Sequence, residues 1–157
     1  MAAPIRVAIA LGSNVGNRAA HLDRAVSRLA ALLDDLRVSR YHETMAVGTA
    51  EPQGLFLNAA AAGTTSLPAR DLLAGLQAIE REQGRQRPYA NAPRTLDLDL
   101  VLFGGCVIDE PGLQVPHPRF RERRFVLEPL TEIAPDLVDP VTGQTMRELL
   151  RLSIVPR

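Results

Sequence analysis

The chain has 157 residues, 46% of them apolar, with 18 acidic side chains against 18 basic ones and a single cysteine. That length suits one domain over residues 1–157, and a formal charge of zero supplies no whole-molecule field for nucleic acid or anionic lipid. Every basic side chain is arginine, which excludes a P-loop lysine, a protein-kinase lysine and a Schiff base, and Cys106 has no second cysteine to pair with.

The apolar runs are broken by Arg, Asp or Gly well before the ~18 residues that a membrane span needs, and MAAPIRVAIALGSN leads straight into a strand pattern rather than a secretion signal. The expectation is a soluble, cytoplasmic protein, monomeric, with neither nucleic acid nor membrane as a partner.

Residues 5–12, IRVAIALG, predict a strand, and the spacing of Leu22, Val26, Leu29 and Leu33 predicts a helix capped by Asn17. Residues 36–44 read as a strand, 55–66 as a second strand of small residues paired with it, and Leu72, Leu73, Leu76 and Ile79 as a helix that begins near Pro68 and stops at Gly84. TLDLDLVLFGG is the clearest strand, with GG and CVI after it suggesting a short hairpin. RFVLEPLTEIAP and TMRELLRL read as short helices after the polar, proline-marked segment PGLQVPHPRFRERR. The order β-α-β-β-α-β predicts an α+β, ferredoxin-like sandwich, two helices on one face of an antiparallel sheet, with a C-terminal hairpin and short helices added.

Period-two alternation puts Leu96, Leu98, Leu100 and Leu102 on one face of that strand and Asp97, Asp99, Val101 and Phe103 on the other. The two carboxylates then stand ~7 Å apart at their bases. A solvated outer face fits such a pattern, and so does a magnesium site, because this hard cation takes one or two carboxylates plus water and phosphate oxygens. The flanks favour the metal. Arg81, Arg85, Arg87 and Arg94 precede the strand, and Arg119, Arg121, Arg123 and Arg124 follow it, so metal and guanidinium groups bracket a place where phosphate can be transferred from ATP. His117, held between Pro116 and Pro118, can donate to a phosphate. Gly12, Ser13, Asn14 and Gly16 lack the spacing of a phosphate loop and read as a tight strand-to-helix turn.

ALGSNVGN, FLNAA, IEREQGRQR, APRTLDLDLVLFG and VPHPRFRERRFVLEPLTEIAPDL, in this order, resemble the 6-hydroxymethyl-7,8-dihydropterin pyrophosphokinase family over nearly the whole chain. The resemblance implies transfer of pyrophosphate from ATP to a reduced pterin in folate biosynthesis. A hydroxymethyl oxygen attacks the β-phosphorus, AMP leaves, and no covalent enzyme intermediate forms. It implies Asp97 and Asp99 as ligands of two magnesium ions, and Arg85 and Arg94 as catalytic groups on the phosphates. Gln77, Glu80, Arg87, Arg94, Leu100, His117 and Arg123 would bind ATP; Phe56 and Phe125 would sandwich the pterin, Asn58 would read its edge, and Thr44, Val47 and Gly48 would assist. The loops at 45–54 and 84–93 are expected to close over substrate. Gly112 and Pro118 stand where some members carry a further ATP-contacting arginine and a tyrosine, and Asn91 and Ala92 where many carry a tryptophan. Arg119 or Arg121 is available for the missing phosphate contact.

Overall fold

The computed structural model describes residues 3–45, 55–84 and 95–154. Alternation organises the first strand, β1 (Ile5–Ser13). Val7, Ile9 and Leu11 enter one apolar cluster, whereas Ala8 joins a second cluster against which Ala10 packs. Helix α1 (Arg18–Leu29) follows, with the Asn17 side chain accepting from the Ala20 amide at 3.1 Å. Then come β2 (Asp34–Val38), β3 (His42–Met45), β4 (Leu55–Thr65), α2 (Ala69–Glu82) and β5 (Asp97–Phe103). The sheet runs β2-β4-β1-β5, with β3 also on β4, and every pairing is antiparallel. With β2 and β3 taken as halves of one strand, this is the ferredoxin-like arrangement expected.

The strand read at 36–44 is divided in two. At the division the Ser39 amide still donates to the Ala60 carbonyl at 2.9 Å, but the Ala60 amide donates back to the Ser39 hydroxyl at 2.9 Å, which itself donates to the Arg40 carbonyl at 2.7 Å, so a side chain takes one of the two ladder bonds. The hairpin also differs from expectation. Gly104 and Gly105 end β5, and the hairpin forms one step later between β6 (Ile108–Glu110) and β7 (Leu113–Val115), its second strand inside the segment read as polar and proline-marked. Gly112, at φ 78°, supplies the left-handed residue that this turn requires.

The sheet is covered on both faces, not one. Leu22, Leu29, Leu72, Leu76 and Ile79 of α1 and α2 pack on the large apolar side chains. The opposite face is lined by Ala8, Ala10, Ala60 and Ala62, and its small side chains admit Phe120, Leu127 and Leu130 from a 3-10 turn (Phe120–Glu122) and α3 (Arg124–Ile133), with α4 (Met146–Ile154) outside. Pro129, inside α3, cannot donate to the Phe125 carbonyl one turn back. No helix among the described residues is long and apolar enough to cross a membrane.

The period-two reading of β5 holds only as far as Val101. Ala8 pairs with Leu102 but Ile9 with Leu100, so Val101 is an extra residue, a bulge. Beyond it the faces exchange: Leu102 joins the α3 side and Phe103 the α2 side, the reverse of the simple alternation.

The 3-10 turn is tied down by Arg121. Its guanidinium donates to both oxygens of the fully buried Asp139 carboxylate, at 2.5 and 2.9 Å, and the Thr142 hydroxyl (2.7 Å) and Val141 amide (3.0 Å) donate to the same group. Arg121 is therefore committed to the fold and is not the spare phosphate contact anticipated. Burial alone raises the Asp139 pKa, but hydrogen bonds from Arg121, Thr142 and Val141 outweigh it and hold the carboxyl below its ordinary value. Because the folded pKa is depressed, this stabilisation is complete above the unfolded value of about 3.9 and is lost as pH falls toward the folded one. Asp139→Asn leaves Arg121 half-buried without its counter-charge and is expected to cost about 3 kcal/mol in urea unfolding at pH 7, a gap that narrows below pH 4.

Candidate active site

The site lies where the alanine-lined face of the sheet runs past the end of α3. Asn58 of β4, Gly12 of β1 and Asp97 of β5 form one row across three strands, since Gly12 pairs with both Asn58 and Asp97. In the next row Ala10 pairs with Asp99, and beyond the first Phe56 pairs with Thr44. The alternation that points Ala10 and Gly12 toward this face points both aspartates there too.

These residues line a cavity of about 690 Å³. Phe56, Asn58 and Thr44 form one wall, Phe125 and Val126 of α3 another, Asp97 and Asp99 a third, and Arg119, Glu122, Arg123 and Arg124 the rim. Gly12 is its floor. A Cβ there would sit 3.2 Å from Asn58 Oδ1 and 3.9 Å from the Phe56 ring, so only glycine keeps this space open. The Asn58 amide donates to the Thr44 hydroxyl at 2.5 Å, which fixes its plane. The Arg123 guanidinium lies 5.6 Å from the centre of the Phe125 ring, joining rim and wall.

A second cavity, of about 700 Å³, lies on the other side of Asp99. Leu98, Asp99 and Leu100 of β5, Leu73 of α2, the β6–β7 turn from Asp109 to Gln114, His117 and Pro118 surround it. Among the described residues Asp99 alone lines both cavities.

The bulge in β5 sets the position of His117: the Val101 carbonyl accepts from the His117 amide at 3.0 Å, which docks the proline-flanked segment on the strand beside the aspartates. The Arg119 amide donates to His117 Nδ1 at 3.2 Å. The neutral imidazole therefore carries its proton on Nε2, as a donor to a ligand. Burial pushes its pKa below the ordinary value, Arg123 and Arg119 push the same way, and Asp97 opposes them.

Of the residues singled out from sequence, Thr44, Phe56, Asn58, Asp97, Asp99, Arg123 and Phe125 share the first cavity, while Asp99, Leu100 and His117 share the second. Gln77 and Glu80 line neither. Gln77 is exposed on α2, and the buried Glu80 carboxylate accepts from the Leu98 amide at 2.9 Å, holding β5 between its two aspartates. Val47, Gly48, Arg85, Arg87 and Arg94, together with nearly all of the two loops expected to close, lie outside the described residues. Lining residues not read as site residues include Gly12, taken for a turn, Glu122, and the β6–β7 turn apart from Gly112. A lone glycine in a strand signals close approach of another group, and Gly12 carried that signal.

Among the described residues no three His, Cys, Asp or Glu side chains form a metal-holding group. Two carboxylates side by side fit magnesium nonetheless, since it keeps most of its shell for water and phosphate oxygens. Structural zinc sites draw on nitrogen and sulfur donors, which neither aspartate supplies.

Residues 8–135 match the family described as 7,8-dihydro-6-hydroxymethylpterin-pyrophosphokinase. The chain is 44% identical over 147 residues to the 2-amino-4-hydroxy-6-hydroxymethyldihydropteridine pyrophosphokinase of Pseudomonas aeruginosa, covering 92% of this chain and 90% of that one. It is also 44% identical over 147 residues to the Bacillus subtilis protein of the same name, covering 92% and 87%. Among solved structures, wild-type Plasmodium falciparum HPPK-DHPS superposes with a TM-score of 0.77 at 12% identity, covering 98% of this chain. The chain spans 45% of the length of that structure, and the likeness is one of fold.

In the free protein, His117 is expected to titrate below about 6.5, the usual histidine value, when followed by two-dimensional imidazole NMR. Arg123→Met removes the leading charge that opposes protonation and should move that titration upward; an unchanged midpoint would show that Arg123 does not face the ring.

Proposed function

The chain belongs to the 7,8-dihydro-6-hydroxymethylpterin-pyrophosphokinase family, and from that premise we propose how its two cavities divide the work. The activity is transfer of pyrophosphate from ATP to 6-hydroxymethyl-7,8-dihydropterin, giving AMP and the pterin diphosphate. The observation that carries our division is Asp99, which stands between a flat-walled cavity with two phenylalanines and a second cavity with a histidine donor.

In this reading the first cavity takes the pterin. Phe56 and Phe125 offer apolar faces to a planar heterocycle, and the Asn58 carboxamide, its plane set by Thr44, reads the hydrogen-bonding edge. Val47 and Gly48 belong to the same group by their place in the chain. The second cavity takes the nucleotide, with Leu98, Leu100 and Leu113 against the base and His117 Nε2 donating to a phosphate oxygen. Arg119 and Arg123 at the rim, and Arg85, Arg87 and Arg94 from the preceding loop, neutralise the triphosphate. Gln77 and Glu80 act from α2, Glu80 by holding β5 in register.

Asp97 and Asp99 would hold magnesium, as two ions. Magnesium held there would supply charge stabilisation to the phosphates and would acidify the attacking hydroxyl. The residues of the chain orient the two substrates. The hydroxymethyl oxygen points past Asp99 toward the β-phosphorus, its proton passes to water as the new O–P bond forms, and the bond from the β-phosphorus to the α,β-bridging oxygen breaks, that oxygen departing with AMP. No side chain serves as nucleophile. Positioning and charge neutralisation then account for the rate, as phosphoryl chemistry requires. We place the protein in the cytoplasm as a monomer working on small molecules, with residues 1–157 acting as one unit.

Asp97→Asn and Asp99→Asn are each expected to lower turnover about 1,000-fold or more without loss of the folded circular dichroism spectrum; near-normal AMP release from both would remove the metal reading. Gly12→Ala places a methyl group on the cavity floor. It should weaken pterin binding about tenfold, or ~1.4 kcal/mol, and leave the affinity for an ATP analogue unchanged, as read by titration calorimetry.

A further inference from the structure

β1 makes its last pairing on β4 at Ser13 with Leu57. Leu55 and Phe56 extend beyond it, and there, among the described residues, β4 pairs only with β3, Leu55 with Met45 and Phe56 with Thr44. This tip is a two-stranded ribbon, which is marginal by itself in water. It carries Phe56 and Thr44, two residues of one wall of the first cavity.

One side chain grips both strands of the ribbon. Arg18, the first residue of α1, donates from Nη1 to the Leu55 carbonyl at 2.7 Å and from Nη2 to Glu43 Oε1 at 3.1 Å. Its side chain is 29% exposed, against 58% for Arg28 and 82% for Arg40, so this grip is more sheltered than the ordinary surface pairs. Glu43 pairs with Leu57, which packs with the α1 and α2 cluster. The hydrogen bonds of Arg18 thus reach the ribbon from the side opposite the cavity, and neither of these partners, Leu55 or Glu43, lines it. Its base is firm, because α1 is pinned by the fully buried Leu22, Ala25 and Leu29. The planar fork suits two acceptors on neighbouring strands, and a single ammonium would not span them as well.

We propose that Arg18 is a positioning residue for the pterin: it replaces the missing β1 partner at the ribbon tip and so holds Phe56 and the Thr44–Asn58 pair where the ring must stack. The proposal rests on the reading of the first cavity as the pterin site. The second cavity draws its walls from α2, β5, β6, β7 and the segment at His117, and the Arg18 hydrogen bonds to Leu55 and Glu43 reach none of these described elements, so nucleotide binding should be insensitive to it.

The test compares wild type with Arg18→Met, and with Glu43→Gln, which keeps the Leu55 grip and serves should the first variant fail to fold. Amide hydrogen exchange is followed at 43–45 and 55–57, and Kd is measured for 6-hydroxymethylpterin and for α,β-methylene-ATP with magnesium. Arg18→Met is expected to speed exchange at those amides at least tenfold, to raise the pterin Kd about tenfold, and to leave the nucleotide Kd within twofold. Glu43→Gln should shift the pterin Kd two- to fourfold in the same direction. Unchanged exchange at the ribbon tip, or equal loss of both ligands, overturns the proposal. Wild-type protein that does not bind the pterin overturns the reading of the cavity itself, whereas normal wild-type binding with an unshifted Kd in Arg18→Met overturns the role of Arg18 alone.

Discussion

One strand, β5, has to present two aspartates to a ligand space at its start and bury large apolar side chains on both faces toward its end, and a single extra residue in its ladder with β1 reconciles these demands. Before Val101 the strand keeps leucines against α2 and carboxylates toward the open face. After it Leu102 turns to the α3 side, filling the layer that closes the sheet there. The same bulge offers the Val101 carbonyl to His117, so the irregularity that settles the core also docks the imidazole beside the acids.

The small residues of the central strands are the second half of that arrangement. Ala8, Ala10, Ala60 and Ala62 let α3 approach closely, and Gly12, one step further along the same face, leaves room for a ligand instead of a helix. Core and cavity are therefore one surface, filled by protein at one end and open at the other. With no lysine in the chain, arginine does every cationic task, and the structure divides them by burial. Arg121 is consumed by Asp139 and Arg18 by the β3–β4 ribbon, while Arg119, Arg123 and Arg124 remain at the cavity rim.

Much of this was legible in the sequence, for a physical reason. Alternating Leu and Asp in 96–101 states both strand and sidedness, and the apolar stripes of α1 and α2 state which face they cover. What escaped were features decided by tertiary contact. The bulge leaves no mark in the pattern LVLF, because every residue in it is apolar whichever way it points. The break at Ser39 depends on a hydroxyl meeting an amide of another strand. The commitment of Arg121 depends on Asp139, which lies 18 residues away in sequence. Gly12 was visible as a glycine, but a strand floor and a turn look alike until the neighbouring strand places Asn58 beside it. The roles proposed for Asp97 and Asp99 came from pattern and family resemblance together, and that of Phe56 from the resemblance alone.

The central claim is that two cavities meeting at Asp99 bring a pterin hydroxyl to the β-phosphorus of ATP. Incubating the purified protein with ATP, 6-hydroxymethyl-7,8-dihydropterin and magnesium, then separating nucleotides and pterins by chromatography, tests it most directly. The account predicts AMP and a pterin diphosphate in equal amounts, both dependent on magnesium. ADP with a pterin monophosphate, or unchanged ATP from folded protein that has bound both substrates, would contradict it.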